Sequence, residues 1–157
     1  MKKLTVLIGF LLCLTACGSS EVVREARKTM NGNWTLTSVD YPGNTSNVEV
    51  ALLSDASSEC FRNSQWDFIS NNNTGTYVLD GEDCGEQPRF FNWGIEDDKG
   101  EPYSLTLKPT DSRKNSTAQN HGFRLNLVNL SQNQMIWEQT VQFEGSPFTI
   151  RMNFIKN

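Results

Sequence analysis

The sequence predicts an all-β fold, an eight-stranded antiparallel up-and-down β-barrel, with a β-sandwich as the competing closure. Three observations carry this. Apolar residues recur with period two in eight separate stretches, turn-forming clusters separate them, and long apolar helical stretches are absent after the N-terminal segment. A strand with one apolar face needs neighbours to cover it. Sequential antiparallel strands can also hide their edges by closing on themselves.

The N-terminal segment is different in kind. Lys2 and Lys3 precede an apolar run from Leu4 to Leu14. This run is well short of the roughly 20 residues that cross a bilayer as a helix, so it reads as the centre of a secretory signal. It leads into Leu14-Thr15-Ala16-Cys17-Gly18, which resembles the lipobox of bacterial lipoproteins. The resemblance implies a signal peptide over 1–16 and a diacylglyceryl group on Cys17, which becomes the acylated (palmitate-type) new N-terminus. The other reading is an ordinary signal cut near Ala16, with Cys17 an incidental thiol. More than one acyl chain, at roughly 0.8 kcal/mol per buried methylene, makes such an anchor lasting. Residues 17–30 are polar and charged and read as a lipidated tether, with a short helix at its end as one reading; 31–157 form the folded domain. Gly18, Ser19 and Ser20 lack the aspartate that retains enterobacterial lipoproteins at the inner membrane, so an outer-membrane address in the cell envelope is expected.

Charge limits the partners. The chain carries a formal charge of −4, and loss of residues 1–16 removes two lysines and no acid. So acidic a domain has no general affinity for nucleic acid or anionic lipid, which leaves the lipid on Cys17 as the expected membrane contact.

The strands come in order. Asn33 to Asp40 alternates Trp34, Leu36 and Ser38 against Thr35, Thr37 and Val39, before Tyr41-Pro42-Gly43-Asn44 breaks it. Val48 to Leu53 is apolar and fits either a short strand or a helical turn. Gln65 to Ile69 and Thr76 to Leu79 flank the turn-rich Asn71-Asn72-Asn73-Thr74-Gly75 and read as a hairpin. Arg89 to Glu96, Tyr103 to Lys108, Phe123 to Leu127, Met135 to Phe143 and Phe148 to Phe154 complete the eight, with a long polar loop from Pro109 to Asn120.

Cys60 and Cys84 lie equally far on either side of Asn72. Folding the hairpin there sets them opposite one another, and in an oxidising compartment they are expected to form a disulfide. A metal site is the rival reading, but it lacks further Cys or His ligands.

These features together resemble the lipocalin-like lipoproteins of Bacteroidetes-type bacteria. Gly32-Asn33-Trp34 matches the Gly-x-Trp motif that opens lipocalins. The ordered set continues with Leu36, Cys60, Gly75-Thr76-Tyr77, Cys84, Trp93 and Trp137. The resemblance covers about 31–157 and implies a barrel with a cavity for a small hydrophobic ligand. Lipocalins also place an arginine late in the barrel over the motif tryptophan. Arg151 is the candidate here, yet alternation sets it on the polar face, and the lipocalin C-terminal helix is missing.

Little else carries chemistry. His121, the only histidine, sits in a polar loop and reads as an exposed turn residue with no nucleophile or metal beside it. Glu96, Asp97, Asp98 and Glu101 read as a solvated hairpin turn, with weak calcium binding as the alternative. No enzyme activity, cofactor or metal is expected. The aromatic set is the one candidate for recognition: Trp34, Trp66, Phe68, Tyr77, Trp93, Phe123, Trp137 and Phe148 project from expected inner faces. They either fill the barrel or line a pocket for an apolar ligand. The alternative function is an envelope protein whose loops, chiefly Pro109 to Asn120 and Asp97 to Glu101, bind another protein.

Overall fold

The computed structural model describes residues 20–43, 50–97 and 103–157. Cys17, the signal segment, Asp98 and Glu101 lie outside them. In chain order the elements are α1 (Glu21–Met30), β1 (Gly32–Asp40), β2 (Ala51–Leu52), β3 (Ala56–Ser57) and α2 (Ser58–Phe61). They are followed by β4 (Gln65–Ile69), β5 (Thr74–Val78), β6 (Arg89–Glu96) and β7 (Tyr103–Thr110), then by β8 (Phe123–Leu130), β9 (Gln134–Phe143) and β10 (Ser146–Lys156).

Eight strands close into an antiparallel barrel in the order β1-β10-β9-β8-β7-β6-β5-β4, while β2 and β3 pair only with each other. Every strand expected from alternation is present, and the sandwich alternative falls away. Closure comes from β1, which pairs with β4 on one side and β10 on the other.

Period-two alternation fails at two bulges, one in β8 between Leu127 and Asn129 and one in β1. Register shifts between Leu36 and Ser38, and Thr37 hydrogen-bonds sideways to the Asn153 carbonyl (3.0 Å). Such a bulge reverses inside and outside for the rest of the strand. Val39 is therefore buried, and Ser38 stands off the core, opposite to simple alternation.

The barrel has two unlike ends. At the base, α1 packs Val23, Ala26 and Met30 against the core, at a spacing that keeps them on one helix face. Ser20 caps the helix by accepting from the Val23 amide, and Glu21 and Arg27/Lys28 suit its dipole. Residues 21–30, read from the sequence as tether with a short helix at its end as one reading, form a docked helix. Val23, Ala26 and Met30 already carried the signal, hidden among charges. At the other end, the mouth, lie the β1–β4 excursion through β2, β3 and α2, and the loops 79–88, 111–122 and 144–145.

Candidate functional site: a cleft at the barrel mouth

The interior behind the mouth is filled by rings. Trp66 stacks on Tyr77 (centroids 4.4 Å) and meets Trp137 edge-on (5.4 Å). Trp137 lies 4.2 Å from Phe154, and Phe68 packs edge-on to Phe91 (5.3 Å) and Trp93 (5.6 Å). Gly75 makes the close approach possible, because a Cβ there would lie 2.6 Å from the Asp67 carbonyl oxygen and run into the Phe91 ring.

Buried indole N–H groups need acceptors. Trp34 donates to the Met30 carbonyl (2.7 Å), Trp66 to Ser64 Oγ (2.8 Å) and Trp93 to the Thr74 carbonyl (2.8 Å). Trp137 finds no hydrogen-bond partner among the described residues.

Trp34 closes the base. Lys156 sets its ammonium 5.1 Å from the Trp34 ring and donates to the Thr29 carbonyl (2.8 Å). The late cation over the motif tryptophan is therefore Lys156, not Arg151. Arg151 points outward and pairs with Glu138 (Nε to Oε1, 2.7 Å), as its place on the polar face requires.

The cleft opens at the mouth, with a volume of about 920 Å³. Leu53, Tyr77, Phe90, Pro109 and Phe123 give it an apolar floor, while Asp55, Arg89, Thr110, Ser112, Gln119 and His121 are among its polar lining groups. One wall is the β2–β3 turn; another is the loop 111–122, which overlaps the segment that the sequence offered as a protein-binding surface. Asp111 orders that loop by accepting from the Arg113 and Asn115 amides and from the Asn115 side chain. These bonds, the side-chain one foremost, hold its carboxyl below the usual carboxylate range.

Of the eight aromatic candidates, the structure brings Tyr77 and Phe123 into this cleft. Trp34, Trp66, Phe68, Trp93 and Trp137 are core side chains, and Phe148 packs beside Tyr41 (5.3 Å) and Phe143 (5.7 Å). Sequence reasoning missed Leu53, Asp55, Arg89 and Phe90 as lining groups. It also set His121 aside as a turn residue: it is exposed, with Nδ1 3.2 Å from the Ala118 carbonyl, but it lies on the rim. Phe90 carried a readable sign, since a second aromatic beside Phe91 must face the other way along the strand.

Polar contacts latch the mouth. Tyr77 Oη donates to Asp55 Oδ2 (2.8 Å), and Arg89 Nε donates to the same oxygen (3.1 Å). Arg89 also donates to the backbone carbonyls of Cys84, Gly85 and Gln87. Burial, reinforced by the hydrogen bond to Asp55, pushes the Tyr77 phenol well above its ordinary range, so it stays protonated. Beside this latch the Cys60–Cys84 disulfide (Cα–Cα 5.5 Å) ties α2 to the loop 79–88, as the hairpin symmetry predicted.

Glu96 of the acidic turn pairs with Arg124 (3.0 Å), and Ser20 Oγ donates to Asp97 (3.4 Å). Among the described residues no three His, Cys, Asp or Glu side chains are grouped to hold a metal ion. No described helix is long and apolar enough to cross a membrane.

A closed eight-stranded barrel, plugged at one end by an N-terminal helix over a Gly-x-Trp tryptophan and open at the other, defines an up-and-down barrel class whose interior is filled by side chains or holds one small ligand. The lipocalin-like domain family model matches residues 30–137, and the chain belongs to that family. Among solved structures, apocrustacyanin C2 is similar over 83% of this chain and 62% of its own, at 12% identity and a TM-score of 0.48. The chain thus spans less than two thirds of that protein. No curated protein matches it.

Proposed function

We propose that this protein is a lipid-anchored lipocalin-like binding protein of the cell envelope, attached through acylated Cys17 at the outer membrane. It holds a small apolar molecule in the mouth of its barrel. The observation that carries the binding reading is the cleft of about 920 Å³, in whose floor Leu53 and Tyr77 belong to the buried core and Phe123 packs against it. An apolar floor with a few polar groups at the edge is what small-molecule sites use to combine affinity with orientation. The anchor reading is supported by Lys2, Lys3, the short apolar run and Leu14-Thr15-Ala16-Cys17.

Native mass spectrometry of the protein extracted from its host membranes tests both parts. The expected result is a diacylglyceryl and acyl mass on the Cys17 peptide, with a small molecule that dissociates on collisional activation. An unmodified Cys17 overturns the anchor. A ligand-free barrel that also leaves its tryptophan fluorescence unchanged with fatty acids, alcohols and phospholipids overturns the binding reading.

A further inference from the structure

Asp55 stands where a ligand's own acid group would go. Its Oδ2 receives two donors from different strands, the Tyr77 hydroxyl of β5 and the Arg89 Nε of β6. The three carbonyls of the loop 79–88 occupy the Nη groups of Arg89, so the guanidinium is held in place whether or not Asp55 is there. Tyr77 is buried and protonated, a fixed donor. Two preorganised donors beside an apolar floor make a carboxylate site, because charge-assisted bonds to a guanidinium are the strong ones.

The group now filling that site sits in the turn between β2 and β3. β2 and β3 pair only with each other, and Leu53 and Ser54 in the turn between them have φ of 51° and 53°. Non-glycine residues in that left-handed region carry strain, while Leu52 and Leu53 stay packed on the core, so it is the Asp55 side chain that gives way. The Asp55–Arg89 pair is partly solvated, which makes its exchange inexpensive. Asp111, the other carboxylate lining the cleft, is half-buried and engaged by the amide and side chain of Asn115.

We propose that the Asp55 carboxylate is an internal stand-in for a ligand carboxylate, and that the mouth takes small apolar molecules bearing that group. This rests on the binding reading above and names its ligand class. The ligand acid displaces Asp55 from Tyr77 and Arg89 as its chain lies along Leu53, Phe90 and Phe123.

Calorimetry with the folded chain tests this, using dodecanoate and 1-dodecanol as probes. Asp55→Ala is expected to bind dodecanoate about tenfold more tightly than the parent and dodecanol within about twofold, one strong hydrogen-bonded contact being worth about a factor of ten. Adding Tyr77→Phe should remove most of the gain for dodecanoate and leave dodecanol unchanged. If Asp55→Ala does not fold, Asp55→Asn, which keeps the shape and removes the charge, should shift the preference the same way by about threefold. Weaker dodecanoate binding in these variants, or equal tightening of both probes, overturns the proposal and leaves Asp55 a structural brace. If neither probe binds any of the chains, the binding reading fails with it.

Discussion

The base and the mouth of this barrel are held by different kinds of contact. At the base, side chains reach for main chain: Trp34 to the Met30 carbonyl, Lys156 to the Thr29 carbonyl and Arg27 to the Ser70 carbonyl, while the Asn31 side chain accepts from the Ser70 amide. At the mouth, side chains also hold side chains, Tyr77 and Arg89 on Asp55, Tyr41 on Ser58 and Cys60 on Cys84, beside the three carbonyls that Arg89 reaches. The mouth also carries most of the left-handed non-glycine backbone, at Leu53, Ser54, Lys114, Gln119 and Asn120. A main-chain acceptor is there in every conformation of the strand that bears it, whereas a side-chain partner can be exchanged. The contacts of Asp55 at the mouth are therefore the ones open to exchange.

The largest expected effect tests the base. Trp34→Ala removes a fully buried ring and an indole donor, and should cost about 3–5 kcal/mol in urea unfolding. A loss below about 1 kcal/mol would mean that α1 does not depend on this plug.

Next comes the disulfide. Cys60→Ser with Cys84→Ser opens a loop with a sequence separation of 24 and should cost about 3 kcal/mol. Hydrogen exchange should quicken in 50–61 and 79–88 and stay unchanged in α1. Faster exchange in α1 would erase the distinction between the ends.

The smallest effect is a pH dependence at the mouth. The folded pKa of Tyr77 is raised, so its contribution is complete below pH 10, the ordinary phenol value, and declines above it. Between pH 10 and 11 stability should fall by up to about 1.4 kcal/mol more in the parent than in Tyr77→Phe. Parallel curves would place the phenol in contact with solvent.

The features legible in the sequence were local ones. Alternation located all eight barrel strands, and the symmetry of Cys60 and Cys84 about Asn72 located the disulfide, because both depend on spacing along the chain. The illegible ones depended on partners far apart. Thr37 makes its bulge against Asn153, Lys156 reaches back to Trp34, and Asp55 meets Tyr77 and Arg89 across the mouth. Alternation also gives inner faces without depth. It grouped Trp66, Trp137 and Tyr77 together, although only Tyr77 stands at the cleft.

The docking of α1 has a consequence for orientation at a membrane. If Cys17 carries the proposed lipid, only Gly18, Ser19 and the cap Ser20 separate it from a helix fixed to the barrel base. Three residues extend at most about 3.6 Å each, so the base is held down against the bilayer and the domain has little leash. The cleft at the opposite end then faces away from the leaflet that anchors it. Whatever enters arrives through the surrounding water or from another carrier, rather than by sliding up from the lipid underneath.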